Sequence, residues 1–174
     1  FKFLSFPSVS AQTAHKQDVL NCANWLKEHL DQIGFKTTMF PTAGHPIIYA
    51  EYIISDKKPT VLYYGHYDVQ PPEPLNLWKT PPFSPEIRDG YFYARGATDD
   101  KGQTFTHIKG LESVIKSEGT LPVNVKFLIE GEEEIVVVDS DFEGSDNELL
   151  DVIKLTSPIE GTYSISAQVV SGVA

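Results

Sequence analysis

The chain has 174 residues, of which 41% are apolar and 22% charged, and its 14 Lys+Arg against 24 Asp+Glu give a formal net charge of −10. This composition is sufficient for a folded core, and the acidic balance argues against a nucleic-acid or anionic membrane surface. One cysteine, Cys22, excludes an internal disulfide and a cysteine-rich zinc site, and no apolar run approaches the roughly 18 residues of a membrane span. We therefore expect an acidic cytoplasmic protein.

The first predicted element is an amphipathic helix over residues 15–33, and Gly34 is placed to end it. Its apolar residues recur every three or four positions: Val19, Cys22, Ala23, Leu26, Leu30 and Ile33. Strands are predicted next at 37–40, 47–54 and 60–64, because these runs are short and rich in β-branched and aromatic residues. Six prolines in residues 65–88 then favour a long loop, and loops of that length within a compact domain are usually functional.

A second helix is predicted over residues 100–118, with Ile108, Leu111, Val114 and Ile115 on its buried side. A strand at 123–129 follows it, and a further strand with one solvated face is predicted at 163–169. A strand, a crossover helix and a strand are typical of a layered α/β sheet, in which ligands bind at the carboxyl ends of the strands. Polar clusters follow the strands that end near Tyr64 and Ile129.

The first of these clusters contains His66 and Asp68. On an extended segment, residues two apart point the same way, so the imidazole and the carboxylate can converge. They could form a metal ligand with an acidic neighbour, or a general acid/base pair. For an isolated pair of this kind, a polar turn after a strand is the more common explanation.

Three acidic groups could complete such a site. Asp99 and Asp100 precede the second helix, where they could cap it, bind a cation, or do both. The run 130–134 (Glu-Gly-Glu-Glu-Glu) directly follows an apolar strand, where like charges are costly without a counter-ion. Asp139 and Asp141 end the apolar run 136–138. Carboxylates with a histidine suit zinc, manganese or cobalt.

Taken together, these clusters resemble the M20 family of co-catalytic metallopeptidases, which includes dipeptidases, carnosinase-like dipeptidases, carboxypeptidase G2-like enzymes, aminoacylases and desuccinylases. The resemblance covers roughly residues 6–135 and is closest to the dipeptidase-like branch. It rests on four ordered segments: Tyr-Gly-His-Tyr-Asp-Val-Gln-Pro at 64–71, Arg-Gly-Ala-Thr-Asp-Asp-Lys-Gly at 95–102, Leu-Pro-Val-Asn-Val-Lys-Phe at 121–127, and the acidic run 130–134. Between the first two segments it also includes Trp78, Pro82-Phe83 and Asp89-Gly90.

The resemblance implies a role for each matching residue. His66 would bind one metal ion, and Asp68 would orient that imidazole and take part in catalysis. Asp99 would bridge two metal ions, commonly through a cis peptide to Asp100. Glu133 would be the general base for a water activated by the two metals, and Glu134 would be a further metal ligand.

The resemblance also implies an α/β fold, with a three-layer α/β/α catalytic domain over residues 1–154 and a piece of a smaller α+β lid domain over 155–174. Asp139 is the preferred remaining metal ligand, with Asp141 as the alternative. Only five positions separate Glu134 from Asp139, too few for the helix that the family places there. We therefore expect residues to be missing at 135/136 and between 142 and 161.

The expected activity is hydrolysis of the peptide bond of dipeptides or short peptides, with two divalent ions, preferably zinc, and a homodimer formed through the lid domain. Two alternatives remain: an N-acyl-amino-acid amidohydrolase or desuccinylase, and an inactive binding module with the same fold. None of the five histidines matches the family's late metal-binding histidine, so we expect this sequence to be part of a longer protein.

Overall fold

The computed structural model describes residues 1–135 and two short strands beyond them. The elements follow one another as α1 (Lys16–Ile33), β1 (Lys36–Phe40), β2 (Ile47–Tyr52), β3 (Thr60–His66), β4 (Glu86–Arg88), β5 (Tyr91–Tyr93), α2 (Lys101–Glu118), β6 (Asn124–Glu130), β7 (Val152–Leu155) and β8 (Tyr163–Ser166). Residues 1–136 and 137–174 form two separate units. Neither described helix has the length and apolar character that crossing a bilayer requires.

The predicted first helix is confirmed as α1. Five of the six residues that the periodicity selected are fully buried, namely Val19, Cys22, Ala23, Leu26 and Leu30, and the sixth, Ile33, is partly buried. The helix ends at Gly34, whose φ of 108° is left-handed and whose main-chain N–H donates to the carbonyls of Asp31 and Leu30. Glycine adopts this conformation without the steric cost that a side chain would add.

A four-stranded sheet in the order β1-β2-β6-β3 forms the centre of the first unit. The strands β1 and β2 pair antiparallel, as do β2 and β6, whereas β3 and β6 are parallel and joined through α2. The register places His66 opposite Glu130, so the chain leaves both parallel strands at the same edge of the sheet. This confirms the predicted strand-helix-strand arrangement and brings the two polar clusters together.

Both helices cover the same face of the sheet, where their buried side chains form one core cluster with those of β2 and β6. Phe127 of β6 is 1% exposed there and contacts the rings of Phe35 and Tyr63, and Tyr63 in turn contacts His107 of α2. On the opposite face Leu62 and Tyr64 remain 52% and 54% exposed. The described residues thus supply two layers of the expected three-layer α/β/α fold.

Two predictions for this unit were wrong in detail. The loop predicted at 65–88 is shorter, because β3 continues to His66 and β4 forms a hairpin with β5. The hairpin turns at Asp89 and Gly90, both with positive φ, as a tight two-residue turn requires. Val114 of α2 is 37% exposed, whereas Lys101 in the first turn of that helix is fully buried.

In the second unit β7 and β8 pair antiparallel, with Ile153 opposite Ile165. The strand predicted at 163–169 is confirmed for residues 163–166. The apolar run 136–138, both predicted gaps and the carboxylates of Asp139 and Asp141 lie outside the described residues. The domain boundary at 154 stays a prediction.

Candidate metal centre

His66 lies at the carboxyl end of β3 and is 5% exposed. Its main-chain N–H donates to Oδ2 of Asp100 at 3.2 Å, and the same Asp100 oxygen accepts a hydrogen bond from the Thr104 hydroxyl of α2 at 2.7 Å. On the ring, Nε2 lies 3.1 Å from Oδ1 of Asp99 and 3.7 Å from Oε2 of Glu133. One ring nitrogen therefore points into a group of carboxylates.

The other ring nitrogen of His66 faces Asp68. Nδ1 lies 3.2 Å from the Asp68 carbonyl oxygen and 3.3 Å from its carboxylate Oδ1. Asp68 is fully buried, and its Oδ2 accepts hydrogen bonds from the Ser10 hydroxyl at 2.6 Å and from the Glu134 main-chain N–H at 3.0 Å. This arrangement orients the imidazole, because a proton on Nδ1 leaves Nε2 free to act as a ligand.

The acidic residues converge on His66 from two segments. Asp99 precedes α2, its peptide bond to Asp100 is cis, and its side chain is 71% exposed. Glu133 and Glu134 follow β6 in a turn. Ligand atoms of His66, Glu133 and Glu134 all lie within 4.8 Å of one another.

The electrostatic environment follows from this crowding. Burial lowers the pKa of His66, but contact with Asp68 and the negative charges around it outweigh burial and raise that pKa to about 9. Burial raises the pKa of Asp68, yet its hydrogen-bond donors hold it below the ordinary value. The pKa of Glu133 is raised, chiefly by burial. The negative charge of Glu134 raises it further, and the positive charge of His66 only partly opposes this rise. The site therefore favours an added positive charge.

A divalent cation suits this set of residues. An imidazole nitrogen among carboxylate oxygens is the ligand chemistry of zinc and, with more oxygen ligands, of manganese. Asp68 supports the same conclusion. Its buried Oδ1 makes no aligned hydrogen bond and lies next to Nδ1 of His66, on the side of the ring away from the carboxylate cluster. Metal-binding histidines commonly have a carboxylate in this position. A cation would also offset repulsion among acids that crowd one edge of the sheet.

Of the predicted site residues, the structure brings together His66, Asp68, Asp99, Glu133 and Glu134. The position of Asp139 lies outside the described residues. Sequence reasoning missed Ser10, which lies 58 residues before Asp68 in the chain. Nothing in the local sequence marks it, because the contact exists only once the first segment has folded against β3.

The chain is similar to known peptidases. The sequence profile described as peptidase family M20/M25/M40 matches residues 62–164, more than half of the chain. The Beta-Ala-His dipeptidase of Rattus norvegicus is 46% identical over 89 residues, which are 51% of this chain and 18% of that protein. The cysteinylglycine-S-conjugate dipeptidase of Corynebacterium striatum is 32% identical over 139 residues, which cover 77% of this chain and 30% of the relative.

A solved structure shows the same architecture. The crystal structure of human carnosine dipeptidase 1 superposes with a TM-score of 0.71 at 32% identity, over 79% of this chain and 31% of that one. The chain therefore spans less than a third of the length of these relatives.

Proposed function

Because the chain belongs to peptidase family M20/M25/M40, we propose that it carries part of a metal-dependent peptidase that hydrolyses dipeptides or short peptides. The observation that carries this proposal is the convergence of the His66 imidazole with the carboxylates of Asp99, Glu133 and Glu134 where two parallel strands end. The similarity to two named dipeptidases supports a dipeptide as substrate.

We assign two divalent ions, preferably zinc, to ligands from His66, Asp99, Glu134 and Asp139. When bound, such ions polarise a peptide carbonyl and lower the pKa of a water molecule. Asp68 holds the His66 ring so that Nε2 faces the site. Glu133 serves as general base: its carboxylate is partly exposed beside His66, where it can accept a proton from water and return it to the leaving amine.

The test replaces the base and leaves the ligands in place. Glu133→Gln in the full chain should lower kcat for a dipeptide about 10²- to 10⁴-fold, the usual contribution of general-base catalysis, while zinc stoichiometry stays unchanged. Glu132→Gln is the matched control, because it removes the same charge one residue away and its carboxylate lies against Gly44 instead. Full activity in Glu133→Gln would remove Glu133 from this role.

The substrate class is tested in the same assay. We expect turnover of an unmodified dipeptide, its loss on chelation and its return with zinc, manganese or cobalt. Preferential turnover of an N-succinyl or N-acyl amino acid would favour the amidohydrolase alternative. Metal binding without turnover of either substrate would favour the binding module.

Two further proposals concern the cellular setting. We place the protein in the cytoplasm, which the single cysteine, free and buried, supports because it requires no oxidising compartment. We also propose a homodimer formed through the lid domain. Sedimentation of the full chain tests the second proposal, and a monomer at micromolar concentration would contradict it.

A further inference from the structure

The segment before α1 packs directly behind the candidate metal centre. The Ser8 hydroxyl donates to the Tyr67 carbonyl at 2.7 Å, and the Val69 main-chain N–H donates to the Ser8 carbonyl at 3.0 Å. Ser8 is fully buried and Ser10 is 7% exposed. This segment therefore brackets Asp68 on both sides and places Ser10 against its carboxylate.

The contact between Ser10 and Asp68 is short and charge-assisted. The Ser10 hydroxyl donates to Oδ2 of Asp68 at 2.6 Å, a distance typical of hydroxyl–carboxylate hydrogen bonds. The Glu134 main-chain N–H donates to the same oxygen at 3.0 Å. With Oδ2 held by two donors, Oδ1 faces Nδ1 of His66 at 3.3 Å.

We propose that Ser10 is a positioning residue that fixes the Asp68 carboxylate and, through it, the His66 imidazole for metal binding. This inference rests on the proposed function in one respect: the cluster around His66 must bind a divalent cation. Partners behind a metal-binding histidine set its tautomer and its basicity, and their loss typically weakens metal binding about 10- to 100-fold. Ser10 contacts Asp68 and not the histidine itself, so we expect its loss to weaken metal binding by a smaller factor.

The experiment compares Ser10→Ala with Ser8→Ala in the full chain. Both variants delete one buried hydroxyl from the same segment, but only Ser10 contacts Asp68. Zinc affinity is measured by competition with a chromophoric chelator. We expect Ser10→Ala to weaken zinc binding about three- to tenfold, less than the roughly 10- to 100-fold loss typical of partners that contact the histidine directly, and Ser8→Ala to change it less than twofold.

A double-mutant cycle with Asp68→Asn separates positioning from a general effect on folding. If Ser10 acts through Asp68, Ser10→Ala should cause little further loss of zinc affinity in the Asp68→Asn background. Ser10→Thr keeps the hydroxyl and should bind zinc more tightly than Ser10→Ala. Equal losses in Ser8→Ala and Ser10→Ala, or full additivity with Asp68→Asn, would overturn the proposal.

A readout without metal distinguishes failure of this inference from failure of the proposed function. Long-range ¹H–¹⁵N spectra of the metal-free chain record the chemical shifts of both His66 ring nitrogens, which respond to their hydrogen bonds with Asp68 and with the carboxylates around Nε2. We expect Ser10→Ala, but not Ser8→Ala, to shift the two ring-nitrogen signals. A wild-type chain that binds no zinc would refute the proposed function, and unchanged His66 signals in Ser10→Ala would refute the role of Ser10.

Discussion

The sharpest prediction concerns Gly102, in the first turn of α2. A Cβ atom at this position would lie 2.0 Å from the Ala97 carbonyl oxygen and 2.9 Å from its carbon. The first distance is about 1.4 Å shorter than the 3.4 Å at which ordinary contact begins. The obstructing atoms belong to the backbone, so no side-chain rotation relieves the overlap. The loop between Ala97 and Gly102, which carries Asp99, would have to move.

The cost of Gly102→Ala can be worked from two opposing terms. Overpacking against backbone costs about 1–3 kcal/mol, whereas replacing glycine by alanine inside a helix gains about 0.5–1 kcal/mol. We therefore expect a net loss of about 0–2.5 kcal/mol, centred near 1 kcal/mol, in the free energy of unfolding. The displacement of Asp99 should weaken zinc binding as well.

Gly110 provides the matched control in the same helix. A Cβ there meets nothing within 4 Å, so Gly110→Ala should gain about 0.5–1 kcal/mol from helix propensity alone. Urea unfolding followed by tryptophan fluorescence measures both variants. If Gly102→Ala were stabilised as much as Gly110→Ala, the close packing of the Asp99 loop against α2 would be refuted.

Three further predictions test the scaffold and its surface. Asn124 is 3% exposed, and its side-chain amide forms hydrogen bonds with main-chain groups of residues 54, 55 and 58. Asn124→Ala should therefore lower the free energy of unfolding in urea by about 2–4 kcal/mol, and a loss below about 0.5 kcal/mol would contradict those contacts. Hydrogen bonds from Lys109 and Lys116 lower the pKa of Glu112 from 4.5 to about 2, so its stabilisation is present above pH 4.5 and lost as pH falls through 2. Glu112→Gln should therefore cost about 1 kcal/mol at pH 7, and the difference from wild type should shrink towards pH 2; a difference independent of pH would refute this assignment. Cys22 is fully buried and burial raises its thiol pKa, so Ellman's reagent should label it only as the chain unfolds; rapid labelling of the folded chain would contradict its place in the core.

The site could be predicted from the sequence because its parts follow strands. His66 and the run 130–134 each come directly after an apolar strand, and parallel pairing of β3 with β6 places both at one edge. The helix α1 could also be predicted from the sequence, because its buried residues recur with a single 3.6-residue period. In both cases the prediction needs only the sequence of one helix or strand, or the pairing of two neighbouring strands.

Other features depend on tertiary contacts that periodicity does not encode. The buried Lys101 donates from its ammonium to the Phe6 carbonyl at 2.8 Å, a contact between residues 95 positions apart. Ser10 contacts Asp68 across 58 positions of the chain. The β4–β5 hairpin is different, because Asp89-Gly90 is itself a local signal for a two-residue turn, although the predicted elements did not include a hairpin there.

The central claim is that His66 and the carboxylates around it bind divalent metal ions for peptide hydrolysis. The most direct measurement is anomalous diffraction at the zinc absorption edge from crystals of the zinc-loaded protein. The account predicts anomalous peaks at coordination distance, about 2.0–2.2 Å, from Nε2 of His66 and from carboxylate oxygens of Asp99 and Glu134. Bound zinc with no anomalous peak at His66 would contradict it.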